Sequence, residues 1–183
     1  MISRAIAVGS GRAAEGIRLM EDALAAHRAT GANFLSAYNL SRLAEAHARA
    51  GEGARAAALA QQAIAEVERT GERWWEAEAH RIQGEILLAT APSHPDAAAA
   101  RFERALDCAR RQDARLWELN AALSLARLWT SKGARQRAQR LLAPVCRAFP
   151  DGVEIAALAE ARQLLSGAAA PSRPERSRRL PRS

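Results

Sequence analysis

Apolar residues of this chain recur three and four positions apart, the spacing that gathers them on one side of a helix: Ala56, Ala60 and Ala63, then Ala98, Phe102 and Ala105, then Ala138, Leu142 and Val145. Turn signals separate such runs, at Gly31, Gly51, Gly53, Gly71 and Gly133, and Asp96 after Pro95 suits a helix start. The pattern predicts helices over 12–30, 33–50, 53–70, 73–90, 95–112, 115–132, 134–149 and 153–166.

The helices fall into repeats. "TGANFLSAYNLSRLAEAHARAGE" from Thr30, "TGERWWEAEAHRIQGEILLATAP" from Thr70 and "QDARLWELNAALSLARLWTSKGA" from Gln112 align without gaps. A small residue returns at Ala44, Gly84 and Ala126, 40 and then 42 residues apart, whereas the apolar trios above are 42 and then 40 apart. Two extra residues between Gly84 and Ala98 reconcile both offsets, and the proline-bearing "ATAPSHPD" supplies a loop for them. Two independent sets of positions thus agree on a unit of about forty residues containing two helices. Antiparallel helices cross closely only where small side chains meet, so Ala44, Gly84 and Ala126 are expected at the crossings, with Phe102 and Leu142 filling the space between repeats.

"AAAARFERAL" carries Ala98-x3-Phe102 followed by Ala105, and "NLSRLAEAH" places Leu43 and Ala44 at a Leu-Gly position. In these residues the chain resembles the tetratricopeptide-repeat family. The repeats are longer than the family's usual unit, the tyrosine position holds His47, Leu87 and Trp129, and the closing proline is missing, which places the chain with long-repeat variants. "GERWWEAEAHRIQGEILL" and the closing "AEARQLL" further resemble the C-terminal repeat region of large bacterial signalling proteins, in which a cyclase-type domain and an AAA-like ATPase domain precede the repeats. That likeness spans about residues 12–166.

The resemblance implies an all-α fold, a right-handed α-solenoid of antiparallel helix pairs whose first helices line a concave groove. Counting from the aligned small residue puts Tyr38, Ser41, Glu45, Arg49, Glu78, Arg81, Glu85, Asn120, Leu123 and Arg127 on that groove as candidate partner contacts. Their charges are mixed, and the lysine and asparagine set with which some family members clamp a peptide's terminal carboxylate is absent.

The same position in each aligned segment carries a large apolar pair: Phe34 and Leu35, Trp74 and Trp75, Leu116 and Trp117. Adjacent helical residues point roughly 100° apart, so one pair can touch two neighbours, the preceding helix and its own hairpin partner. The tryptophans are therefore expected to be structural staples, with one exposed indole as the alternative, since tryptophan is enriched at interaction hot spots.

Projecting the second-helix spacing upstream reaches Gly16, Met20 and Ala23, so "RAAEGIRLMEDALAAHRATG" is expected to be the second helix of an earlier repeat. The predicted organisation is a truncated first helix or disordered N-terminus over 1–11, a solenoid over 12–166, and a disordered tail rich in arginine and proline over 167–183. A chain that starts inside a repeat is expected to be a fragment of a longer gene, a miscalled start, or a domain capped by a partner. Its unpaired first helix would expose Ile17, Met20 and Leu24 and favour a homo-oligomer.

Composition supports helices, with alanine, leucine, arginine, glutamate and glutamine dominant. The net charge of +7 sits largely in the tail, where five arginines oppose Glu175 alone. That leaves +3 for residues 1–166, which disfavours nucleic acid as the partner of the folded part. No segment is long and apolar enough to span a membrane, no signal-peptide core is present, and the expected location is the cytoplasm.

Candidate chemistry is sparse. "AVGSGRAAEG" lacks the frame of a phosphate-binding loop. Ser36, Ser41, Ser93 and Ser124 stand in no nucleophile motif, and Cys108 and Cys146 have no identifiable base. Glu76 and His80 are one helical turn apart and could share a metal, but no third ligand is evident, and a solvent-side ion pair is expected. The reading is a non-catalytic protein–protein interaction scaffold, without cofactor or metal, whose partner is an unidentified protein or peptide. The alternative is a nucleic-acid or anionic-surface binder acting through the arginines of residues 173–182.

Overall fold

In a computed structural model the chain is an all-α solenoid of antiparallel helix pairs. The structure describes the backbone of residues 2–31 and 34–167, with side chains from residue 13. The predicted tail beyond residue 167 lies outside the described residues. The helices are α1 (Ile2–Ala29), α2 (Ser36–Arg49), α3 (Gly53–Thr70), α4 (Glu76–Thr90), α5 (Pro95–Arg111), α6 (Arg115–Ser131), α7 (Arg135–Arg147) and α8 (Ala156–Ser166).

Three first-helix starts come three residues later than the sequence pattern: α8 begins at Ala156 and not at 153, and the other two fall at the apolar pairs. Before α2, Leu35 adopts a left-handed backbone with φ 65°, so the helix begins at Ser36 and not at 33. Before α4, residues Arg73–Trp75 form a 3-10 turn and the helix begins at Glu76. Both delays let the apolar pair leave the helical spiral and turn its members separately. At the other end of the chain, α1 runs without a break from Ile2 through the predicted start at residue 12.

Each helix packs on its neighbours in sequence, and the first helices of successive pairs also touch, α2 on α4, α4 on α6 and α6 on α8. An inner layer of first helices results, with α3, α5 and α7 outside it. The close crossings follow the small residues. Ala44 and Ala126 are fully buried, and a Cβ added at Gly84 would lie 2.5 Å from Phe102 Cε1, so only glycine admits that ring. Phe102 is itself fully buried and clusters with Ala98, Leu125 and Leu128, so one side chain joins α5 to both α4 and α6. Val67 at the end of α3 accepts the Gly71 N–H, whose φ of 72° ends the helix in the left-handed turn that glycine favours.

The expected exposure of α1 is corrected. Ile17 and Leu24 are buried and Met20 packs against the same core as Leu40 and Leu43 of α2. The helix lies on α2 as the second helix of a hairpin would, and this contact consumes its apolar stripe. Leu19, on its other side, is the large apolar residue left 55% exposed.

Candidate functional site

The inner face is built from charges that answer one another. Arg81 of α4 is a two-pronged partner of Glu78, at 2.6 and 2.9 Å, and reaches Glu85 at 3.5 Å. The Ser124 hydroxyl of α6 donates to the same Glu85 at 2.6 Å. Arg127 forms a second two-pronged pair with Glu160 of α8, at 2.5 and 2.6 Å. Upstream on α2, Glu45 accepts from Arg42 at 2.5 Å and lies 3.8 Å from Arg49. Burial opposes the charge of Arg81, but Glu78, Glu85 and Glu45 outweigh it and raise the guanidinium's pKa. Hydrogen bonding to Glu160 raises that of Arg127.

Most predicted groove residues converge here. Arg81, Asn120, Leu123 and Arg127 line one recess of about 270 Å³, and Glu45, Arg49 and Glu85 line a shallower one with Ile82 and Ile86. Leu123 is buried beneath the first recess. Ser41 is corrected as a contact: it is buried, and its hydroxyl donates to the Ala37 carbonyl at 2.8 Å, which turns it onto its own helix. The partners Ser124 and Glu160 were not foreseen. They lie one repeat away from the residues they meet, where no local spacing points to them.

Tyr38 belongs to a ladder of rings across the starts of the first helices. It stacks on Trp74 with centroids 6.2 Å apart and meets Trp75 edge-on at 4.8 Å, while Trp75 meets Trp117 edge-on at 5.3 Å. Trp75 is buried and joins α2 to α6, so its aromatic partners are the first helices on both sides. Trp74 is 41% exposed, as are Phe34 at 64% and Leu116 at 46%, the equivalent members of the other two pairs. The pairs therefore split: Trp75 and the partly buried Trp117 are staples, and the first member of every pair remains on the surface.

On the outer side, α3 and α5 stand apart over α4 and leave a cleft of about 640 Å³. Its floor holds Glu76, His80 and Gln83, all buried. Glu76 is 3.2 Å from Arg73 and 3.9 Å from both Arg104 and Arg111. Burial pushes its carboxyl pKa up, but hydrogen bonds from Cys108 and Arg73 prevail and hold it below the usual carboxylate range. Cys108 is fully buried, and burial, together with Glu76, raises its pKa and keeps it a thiol despite a hydrogen bond from Arg111 at 3.1 Å. Burial and the charges of Arg101 and Arg104 push the His80 imidazole down to about 4, so it is neutral at pH 7.

The expectation of a solvent-side Glu76–His80 pair is thereby overturned, because the cleft floor, with Cys108 of α5 at its side, buries both residues. Ligand atoms of Glu76, His80 and Cys108 lie within 4.8 Å of one another. That third residue sits on the next helix, beyond the reach of any motif spacing. The donor set is of the kind zinc accepts. Three guanidiniums within 4 Å of Glu76, however, oppose a further cation.

Against known proteins, the chain matches no family model, and no curated protein is significantly similar to it. Among the described residues, no helix is long and apolar enough to cross a membrane.

Proposed function

We propose that the chain is a non-catalytic protein–protein interaction module, a tetratricopeptide-like repeat scaffold that takes a polypeptide along its inner face and aromatic edge. The observation that carries this reading is the row of Phe34, Trp74 and Leu116, one per repeat, left exposed beside the buried Trp75 and its ring neighbours. Trp74 touches Tyr38 and Trp75 yet stays 41% exposed, at the same register as an exposed phenylalanine and leucine. Such side chains supply contact area, held at fixed spacing by rigid helices. The paired charges of the inner face add selectivity rather than gross affinity. The likeness in sequence to repeat regions of bacterial signalling proteins supports a cytoplasmic role in signal transduction.

Selection from a random peptide library on the intact protein tests this. Selected peptides are expected to lose about tenfold or more in affinity when Trp74→Ala or Leu116→Ala is introduced, and to be indifferent to Arg101→Ala in the outer cleft. Peptides that bind the Trp74→Ala and Leu116→Ala variants as tightly as the parent would overturn the reading.

A further inference from the structure

The outer cleft holds a positive charge that the chain does not answer. Arg101 of α5 is half-buried on its wall and, among the described residues, has no ion-pair or hydrogen-bond partner. Beneath it His80, only 6% exposed, leaves its Nδ1 without a partner, and Gln83, 7% exposed, leaves its Oε1 without one. Buried polar atoms are seldom left unpaired, and each one needs an explanation. Of the two carboxylates lining the cleft, Glu76 is already engaged by Arg73 and Cys108, and Glu68 of α3 forms no ion pair with Arg101. Part of the cleft is apolar, lined by Ile64, Val67 and Leu87.

We infer that this cleft binds a small organic anion, its sulfate, phosphate or carboxylate head against Arg101 and His80 and its apolar body along Ile64, Val67 and Leu87. Planar guanidinium forks match oxyanion geometry, and the Gln83 amide can turn its NH2 toward the same head. A divalent metal on Glu76, His80 and Cys108 is the competing occupant. It would have to displace Arg73 from Glu76, strip a thiol whose environment favours the proton, and lie among guanidiniums.

The two occupants call for opposite proton movements. His80 faces Glu68 from α3, Arg73 and Glu76 from its own side, and Arg101, Arg104, Cys108 and Arg111 from α5. A bound anion offsets the arginine charges, so His80 takes up a proton on binding, and affinity rises as pH falls. A metal requires loss of the Cys108 proton, so its affinity rises with pH.

Calorimetric titration of the full chain with phenyl sulfate, whose charge is fixed between about pH 5 and 8, separates them. Phenyl sulfate is expected to bind more tightly than inorganic sulfate. Its affinity should be about threefold or more higher at pH 5 than at pH 8, with proton uptake. Arg101→Gln should weaken it about tenfold while leaving the unfolding midpoint unchanged. His80→Asn should abolish the pH dependence, and Cys108→Ala should leave binding intact. Absence of phenyl sulfate binding, or equal affinity in Arg101→Gln, would overturn the proposal. So would zinc binding that needs Cys108 and strengthens as pH rises.

Discussion

Arg81 and Arg101 lie on adjacent helices of one hairpin and have opposite fates. Arg81, on the inner face, is gripped by Glu78 and Glu85 and backed by Ser124, in a layer where first helices touch. Arg101, on the outer face, stands over orphaned polar atoms where α3 and α5 have separated. Local packing explains the difference. At Arg81 the first helices touch and Ser124 reaches Glu85 across a repeat, whereas at Arg101 a cleft separates α3 from α5, although elsewhere outer helices do meet, as Arg137 meets Glu103 at 3.9 Å. Charge at the closed crossing is used within the scaffold, whereas Arg101 is available to something else.

The largest effect is expected at Phe102, which reaches from α5 to both α4 and α6. Phe102→Ala is expected to cost about 3–5 kcal/mol, read from the urea unfolding midpoint, because α4 and α6 both lose their filler. Next, Arg81→Ala should destabilise by roughly 3 kcal/mol, since it leaves the buried Glu78 without its counter-ion. The matched change Arg101→Ala should stay within about 0.5 kcal/mol, for it breaks no pair. Equal costs at the two positions would erase the distinction between the faces.

Acid sharpens the outer side. His80 has a folded pKa of about 4 against an ordinary 6.5, so the unfolded chain takes the proton first and stability falls as pH drops from 6.5 toward 4. His80→Gln should remove about 1–3 kcal/mol of that fall, measured as the difference between unfolding free energies at pH 6.5 and pH 4. Glu76, whose folded pKa is lowered, contributes to a separate loss at still lower pH, as its carboxylate is protonated. A similarly small effect is expected at Arg127, where both partners are near half exposure: Arg127→Ala should cost less than about 1 kcal/mol, and less still in high salt.

The repeat was legible because it is written in residues whose roles are local. Gly84 and Phe102 announced a close crossing from their size and spacing alone, and the crossing is there. The groove was legible in register, since Glu78, Arg81 and Glu85 share a helix face, but not in pairing. Ser124 and Glu160 reach their partners across a repeat, and nothing in the linear order marks which acid meets which base. The outer cleft was invisible for the same reason. Glu76 and His80 were seen one turn apart, but their burial depends on the neighbouring outer helices, and Cys108 joins them only through α5. The tryptophan pair was half legible: Trp75 is a staple, but only the 3-10 turn reveals that Trp74 is left outside.

The most direct test of the interaction reading is a nuclear magnetic resonance titration with a library-selected peptide. The Trp74 indole and the Leu116 methyls are expected to shift on binding while Ile64 and Arg101 stay in place. Shifts confined to the cleft between α3 and α5, with Trp74 unmoved, would contradict that reading.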